Sequence, residues 1–180
     1  MLVTERLILR QWEDADREPW AALNADPEVR EYFPFVLSRK ESDESLDLFR
    51  RMIEEQGWGF WAAATKDTGQ FIGLIGIAQV NFDAPFTPAT EIGWRLAKQH
   101  WGKGYATEGA RAALDYAFSE LHLAEVVAFT AEGNAKSRRV MERLGMTHNA
   151  CDDFMHPKLP EGHPLQKHVL YRIRNAATVG

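Results

Sequence analysis

A chain of 180 residues with 45% hydrophobic and 26% charged side chains is long enough to bury a core, and we expect a single domain over residues 1–180. Its net charge of −5 disfavours a nucleic-acid partner, and the lack of a long apolar run predicts a cytoplasmic protein without a membrane partner. The single cysteine, Cys151, excludes an internal disulfide and a cysteine cluster for a metal.

The first half of the chain predicts a strand, helical segments and a pair of strands. Leu7 and Leu9 fall on one face of a period-two segment, which indicates a strand. Ser38 and Glu41 have the spacing of a capping box and precede apolar residues at helical spacing, so a helix begins there. We place a strand in 4–10, helical segments from 13 and over 26–32, a helix over 38–56, and antiparallel strands over 60–65 and 71–80.

The second half predicts two further helices, each preceded by a strand. Ile92, Trp94 and Leu96 alternate with polar residues or glycine, as in a strand with one buried face. Asn134 is a typical N-cap, and Gly145 is typical of a helix end. We place strands over 90–96 and 124–131, helices over 106–121 and 134–145, strands over 146–154 and 168–173, and a frayed tail at 174–180.

Between the fourth predicted strand and the helix that follows it lies Gly102-Lys-Gly104. Glycines allow a ligand to approach the main chain closely, and the free N–H groups of a helix start favour phosphate oxygens. The spacing lacks the third glycine of a dinucleotide fingerprint and the Gly-Lys-Ser/Thr of a P-loop. The stretch is therefore interpreted as an anion cradle, with an ordinary strand-to-helix turn as the alternative.

This order of elements resembles that of the GNAT superfamily of acetyl-CoA-dependent N-acetyltransferases. Gln99-His-Trp-Gly-Lys-Gly104 is similar to the family's pyrophosphate loop, and Asn134–Ser137 with Val140–Met146 is similar to its second cofactor motif. The RimJ/RimL-like branch, which acetylates the N-termini of ribosomal proteins, is the most similar one in the segments Thr4–Arg10, Gly57–Ala62 and Phe71–Gly76. The resemblance implies an α+β fold whose mostly antiparallel seven-stranded sheet is splayed after the fourth strand and flanked by about four helices.

The resemblance also implies a set of residues that bind acetyl-CoA. Backbone groups of Gly102, Lys103, Gly104, Tyr105 and Ala106 would hold the pyrophosphate, in the loop that Gln99 opens. Trp94, Arg95 and Leu96 would pair in strand fashion with the pantetheine arm, and a splayed or bulged strand at Gly93 would free N–H groups for the thioester carbonyl. Asn134 and Ser137 would contact the arm and the sulfur region. Among the basic residues Lys136, Arg138, Arg139 and Arg143, we expect one or two, such as Arg139, to bind the 3′-phosphate.

Acetyl transfer to an amine needs a base for the amine and an acid for the departing thiolate. Glu91, next to Gly93 on the fourth predicted strand, is our candidate for the base, acting directly or through a water. Its alternative role is that of an edge carboxylate paired with an arginine. Ser137 is the candidate proton donor to the thiolate, although a serine in the first turn of a helix also satisfies backbone groups. Tyr171, the only late tyrosine, lacks a matching motif and is expected in the core or at its rim.

The expected function is transfer of an acetyl group from acetyl-CoA to a primary amine, either a protein N-terminal α-amine or a small molecule. An enzyme that acetylates an antibiotic or toxin and a non-catalytic acyl-CoA-binding module remain as alternatives. The acceptor would bind among loops such as 32–36 and 156–163. The six histidines match no metal-ligand spacing, so no metal is expected. The chain itself is expected to be a monomer or a homodimer.

Overall fold

The computed structural model describes residues 1–176. These residues form four α-helices and nine β-strands, several of them very short. The helices are α1 (Arg17–Ala25), α2 (Arg39–Gln56), α3 (Tyr105–Ser119) and α4 (Ala135–Arg143). The strands are β1 (Leu2–Val3), β2 (Leu7–Arg10), β3 (Phe60–Thr65), β4 (Phe71–Gln79), β5 (Thr90–Leu96), β6 (Glu125–Ala131), β7 (Thr147–His148), β8 (Phe154–Met155) and β9 (Lys167–Arg174).

All nine strands belong to one sheet with the order β1-β2-β3-β4-β5-β6-β9-β7, and β8 also pairs with β9. Every pairing is antiparallel except that between β5 and β6, which is parallel and is limited to Glu91 opposite Val127. β5 is the fourth strand expected from the sequence. The α+β fold and the splay after that strand are therefore confirmed.

Helices cover both faces of the sheet. On one face α3 and α4 bury a cluster that includes Trp61, Ile75 and Leu114, all at most 2% exposed. On the other face α1 and α2 bury a second cluster around Trp20 and Leu46, which are fully inaccessible. Among residues 1–176, no helix is both long and apolar enough to cross a membrane.

Local signals placed several helix ends correctly. Ser38 and Glu41 form the predicted capping box at the start of α2, and Asn134 caps α4 by accepting a hydrogen bond from the Ser137 N–H at 3.2 Å. Gly57 and Gly145 follow α2 and α4 with φ of +84° each, a left-handed conformation that glycine adopts without strain.

Two predicted elements differ in the structure. The helical segment expected over 26–32 is a series of turns, because the Asp26 carboxylate accepts a hydrogen bond from the Glu28 N–H at 2.8 Å and so favours a turn. The single strand expected over 146–154 is divided into β7 and β8 by a 3-10 turn, at which Asn149 accepts from the Cys151 N–H at 3.0 Å. This division and the two-residue β1 account for nine strands instead of seven.

The end of the chain is ordered further than expected. β9 extends through Arg174, and the Asn175 N–H donates to the Ala124 carbonyl at 2.9 Å. The frayed tail therefore stays a prediction only for residues 177–180, which lie outside the described part of the chain.

Replacing Gly76 by alanine should destabilise the sheet. An added Cβ would lie 2.1 Å from the Gly59 carbonyl oxygen and 2.7 Å from Phe60 Cα, both backbone atoms of the β3 side. We expect Gly76→Ala to lower the free energy of unfolding by about 3 kcal/mol, as overpacking does. At Gly133 the nearest atom would be Tyr32 Cε1 at 3.6 Å, so Gly133→Ala should change it by less than about 0.5 kcal/mol. Urea unfolding of both variants measures the difference, and equal effects would contradict the steric argument.

Candidate active site

The divergence of two parallel strands creates an open slot in the middle of the sheet. β5 pairs with β4 along all of Thr90–Leu96, but its other edge meets β6 only at Glu91 and Val127. Beyond that pair, residues 92–96 of β5 and 128–131 of β6 have no pairing between them. We call this gap the strand slot. Its walls are strand edges, so it suits an extended ligand that carries amide groups.

One hydrogen bond just after β5 shows which of its backbone groups point toward β4. The Ala97 N–H donates to the Ile72 carbonyl at 2.9 Å, on the β4 side. Because backbone groups alternate in direction along a strand, odd-numbered residues of β5 address β4. The even-numbered residues that address the strand slot are Ile92, Trp94 and Leu96.

Two of the three residues expected to pair with a pantetheine arm thus turn their main chain toward the slot. These are Trp94 and Leu96, and the Leu96 carbonyl is already bonded to the Trp101 indole N–H at 2.8 Å. The backbone groups of Arg95 point toward Leu74 of β4. Its side chain lies on the face of the sheet that α1 and α2 cover, where it contacts Asn24. The β4–β5 register is continuous through Gly93, so a bulge there is excluded and the splay alone frees the edge.

The N-terminus of α3 lies after the glycine pair. Gly102 and Gly104 have φ of +72° and +83°, and no side chain caps the helix. The first helical bond runs from the Glu108 N–H to the Gly104 carbonyl at 3.0 Å. Within the described chain, the N–H groups of Tyr105, Ala106 and Thr107 therefore have no acceptor. Three aligned donors at the positive end of a helix favour an anion, and we call this group the anion site.

Arg6 and Glu108 hold this loop against the first strands. The sequence did not predict this interaction. The Glu108 carboxylate accepts from the Arg6 backbone N–H at 2.8 Å, from its Nε at 2.6 Å and from the Thr4 hydroxyl at 2.6 Å. Arg6 Nη1 in turn donates to the Lys103 carbonyl at 3.0 Å. Burial acts to raise the pKa of Glu108, but these hydrogen bonds outweigh it and lower the pKa. The only sequence signal was an acidic residue in the first turn of α3.

Beside the anion site, Trp101 connects its own loop with β5 and α4. Its indole is bonded to β5, and the ammonium group of Lys136 in α4 lies 4.3 Å from the centre of its ring. Gln99 is exposed, whereas His100 beside it is buried, with both ring nitrogens unpaired in the described part of the chain, and burial lowers its pKa.

The N-terminus of α4 follows β6 and brings Asn134 and Ser137 together. Asn134 Nδ2 donates to the Thr130 hydroxyl at 2.9 Å and to the Ser137 hydroxyl at 3.2 Å. Ser137 thus accepts one hydrogen bond and keeps its own O–H free to donate. Of the basic residues on this helix, Arg138 is turned away to Tyr171 at 3.3 Å, whereas Arg139 is exposed. Tyr171 is 2% exposed, which agrees with the expected core role.

Glu91 lies at the closed end of the strand slot, where β5 pairs with β6. Its side chain is half-buried and, among residues 1–176, receives no hydrogen bond and forms no ion pair. Loss of solvation raises the pKa of Glu91 to about 7, against the opposing effect of the Lys158 charge. A carboxyl group with this pKa is poised to accept and release a proton near neutral pH.

Next to Lys158 lies an aromatic cluster that the sequence did not reveal. Its rings come from the loop after β4, from β6 and from the segment between β8 and β9, both strands included: Phe82, Phe86, Phe129, Phe154, His156 and His168. Burial, with the neighbouring His168 and Lys158 charges, lowers the pKa of His156 to about 4, so this ring is neutral at pH 7. No group of three or more His, Cys, Asp or Glu side chains that could hold a metal occurs in the described residues.

Known proteins resemble this chain in sequence and in fold. Residues 6–147 match the family described as "Acetyltransferase (GNAT) domain". The protein YkkB of Bacillus subtilis is 37% identical over 146 residues, which cover 81% of this chain and 84% of that protein. The FsC-acetyl coenzyme A-N(2)-transacetylase of Aspergillus fumigatus is 37% identical over 155 residues, covering 82% of this chain and 65% of that longer enzyme.

Among solved structures, the acetyltransferase from Agrobacterium tumefaciens has a TM-score of 0.76 and 30% identity, covering 97% of this chain and 94% of that one. Two further structures share the fold at lower identity. The spermidine N-acetyltransferase from Vibrio cholerae, in complex with CoA and spermine, has a TM-score of 0.71 and 23% identity over 93% and 95% of the chains. RimL, the ribosomal L7/L12 α-N-protein acetyltransferase in complex with coenzyme A, has 0.73 and 16% over 96% of each.

The match over residues 6–147 exceeds half of the chain, and the relatives reach 37% identity over four fifths of it. The chain therefore belongs to the GNAT family of acetyltransferases.

Proposed function

We propose that this protein transfers the acetyl group of acetyl-CoA to a primary amine by direct attack within a ternary complex. One observation carries the proposal: Glu91, half-buried and without an ion pair among residues 1–176, lies at the closed end of the open strand slot. The uncapped start of α3 lies in the surroundings of the same slot. This combination offers a base for the amine, strand edges for an amide-bearing arm and donors for a diphosphate.

The free backbone donors of the α3 start support acetyl-CoA as the co-substrate. Its pyrophosphate would accept hydrogen bonds from the N–H groups of Lys103, Gly104, Tyr105, Ala106 and Thr107, next to Gly102. The pantetheine arm would enter the strand slot and pair with Trp94 and Leu96. Asn134 would also contact the arm, although its side-chain amide now donates to the Thr130 and Ser137 hydroxyls.

The charged residues near the loop support a site for the 3′-phosphate. Arg139 is exposed and bonds only weakly within its own helix, at 3.3 Å to the Ala135 carbonyl. Lys136 already lies over Trp101 beside the loop. We assign the 3′-phosphate contact to these two cations, because Arg138 is engaged with Tyr171.

In the proposed reaction, Glu91 accepts a proton from the ammonium form of the acceptor, directly or through a water. The free amine attacks the thioester carbonyl, a new N–C bond forms, and the C–S bond breaks as the thiolate leaves. The backbone N–H of Trp94, which addresses the slot beyond the pair with β6, stabilises the developing negative charge on oxygen. Ser137, whose O–H is free to donate, supplies the proton to the thiolate and regains one from the nitrogen, which loses its extra proton as the amide forms.

The residues of the site say less about the acceptor amine than about the acetyl donor. The RimJ/RimL-like motifs favour a protein N-terminal α-amine, and a small-molecule amine is the second choice. The segment 32–36 and the loop 156–163, on the same side of the sheet as Glu91, would line this end of the site. Modification of an antibiotic or toxin would use the same chemistry. A cytoplasmic location, a single domain over 1–180 and a monomeric or dimeric state stay predictions.

Thiol release from acetyl-CoA tests the proposal directly. Peptides with different N-terminal residues and a set of small amines serve as acceptors, with CoA binding measured in parallel by calorimetry. We expect release that depends on the acceptor and saturates with it. Tight CoA binding without acceptor-dependent release would favour the acyl-CoA-binding module and contradict the enzyme.

Replacing Glu91 by glutamine should remove the base. Because the base acts in its deprotonated form and its pKa is about 7, wild-type kcat should rise through about pH 7 and level off above it. Glu91→Gln should lower kcat by about 100-fold above that pH and abolish this rise. The exposed residue Glu55 provides the control variant Glu55→Gln, expected to behave as wild type. An unchanged pH profile in Glu91→Gln would remove Glu91 from the mechanism.

Replacing Gly104 by valine should weaken CoA binding. Gly104 has φ of +83°, so a β-branched residue would distort the start of α3 and misalign its N–H groups. We expect the Kd of CoA to rise by about tenfold or more, since charge-assisted hydrogen bonds are lost.

Gly57 supplies a matched control for this loop variant. It has the same left-handed conformation, with φ of +84°, but lies at the end of α2. Gly57→Val carries a similar strain of about 1–2 kcal/mol and should leave the Kd of CoA unchanged. If both variants bind CoA as wild type does, the anion site is assigned wrongly.

A further inference from the structure

Two arginine side chains from different elements contact one phenyl ring on the Glu91 side of the sheet. The guanidinium carbon of Arg95, from β5, lies 4.3 Å from the ring centre of Phe33, and that of Arg30 lies 4.2 Å from it. Arg30 and Phe33 both belong to the turns between α1 and α2. We call Arg30 and Arg95 the arginine pair.

Neither charge in the arginine pair is neutralised. Arg95 Nη1 donates to the neutral Asn24 amide oxygen at 2.9 Å, and its Nε is buried without an acceptor. Arg30 Nε donates to the neutral Phe35 carbonyl at 3.0 Å. No carboxylate among residues 1–176 forms an ion pair with either side chain. Glu41, which acts on Arg30 from a distance, is bonded to Ser38.

Seven other arginines of the described chain are arranged differently. Ion pairs with Asp or Glu are formed by Arg6, Arg10, Arg17, Arg39, Arg50, Arg172 and Arg174. Within the arginine pair, burial lowers the pKa of Arg30 to about 10. Burial and the charge of Arg30 lower that of Arg95 to about 9. An uncompensated charge of this kind is costly, so an incoming anion would be strongly favoured.

The arginine pair is aligned with the proposed base. Glu91, Gly93 and Arg95 alternate along β5 and share one face, so Glu91 and Arg95 are about 13 Å apart along the strand, at 3.3 Å per residue. Gly93 between them contributes no side chain, and a Cβ there would approach the Phe60 ring to 3.0 Å. The Phe60 ring therefore covers Gly93, and a small molecule that passes over this ring would meet a carboxyl group at one end and two guanidinium groups at the other.

We propose that the arginine pair binds an oxyanion, a carboxylate or a phosphate, carried by the same acceptor molecule whose amine meets Glu91. The inference rests on the proposed acetyl transfer and specifies its acceptor as an anionic amine. Guanidinium groups match both oxyanions in geometry and lose little hydration on binding them. A polyamine, with a second cation in place of the anion, is a poor acceptor for this site because it would meet like charge.

The test uses acceptors that differ only at the end remote from the amine. Three series of ω-amino compounds with increasing chain length end in a carboxylate, a phosphate or a neutral carboxamide, and thiol release is measured at saturating acetyl-CoA. For the wild type we expect the best carboxylate or phosphate to exceed its carboxamide by about tenfold or more in kcat/KM, mainly through a lower KM. Whichever anion gains more identifies the oxyanion.

Variants separate recognition from folding. Arg95→Gln and Arg30→Gln should abolish the preference for the anionic acceptor, so that the ratio of its kcat/KM to that of the matching carboxamide falls to about one. Arg39, which is exposed and already paired with Glu18, gives the control Arg39→Gln, expected to keep the preference. The wild-type comparison stands by itself if a variant fails to fold.

Each outcome bears on one of the two proposals. Equal rates for anionic and neutral acceptors in the wild type, or an equal loss for both in Arg95→Gln, would overturn the oxyanion site and leave the acetyltransferase proposal intact. No release with any amine would overturn both.

Discussion

The structure depends on the single backbone pair between β5 and β6, Glu91 with Val127. A longer pairing would use the main-chain groups of residues 92–96 within the sheet and leave none for a ligand. Because the strands diverge, one edge of β5 stays available while the other is fully paired with β4. Helices α3 and α4 follow the two diverging strands, so their N-termini meet at Trp101 beside the opening.

Electrostatics distinguishes the site from the rest of the surface. Several charged side chains form ion pairs within the protein, as Arg6 does with Glu108, which fixes the start of α3. On the Glu91 side of β5, by contrast, a carboxyl group and two guanidinium groups have no ion-pair partner among residues 1–176, and burial shifts their pKa values toward the neutral form. Such unpaired groups cost stability, and they are the groups available to a substrate.

Sequence reasoning succeeded where a short segment carries its own signal. The capping box at Ser38, the cap at Asn134 and the left-handed glycine at Gly145 are set by neighbouring residues alone. It failed over 26–32 and 146–154, where an Asp or Asn side chain bonded to a nearby N–H and interrupted a regular pattern. Apolar spacing does not register such bonds, because they compete with the helix or strand locally.

The sequence by itself determined the order of the strands and helices, the glycine loop before α3 and the family to which both motifs point, because these follow from local propensity and spacing. Only the tertiary structure decided which residues face the slot and which charges remain unpaired. Arg95 illustrates the difference: its place in a strand was evident, but its contact with Phe33 and Arg30 depends on how the segment after α1 packs over β5. Contacts between residues distant in sequence are set by packing, which no local pattern encodes.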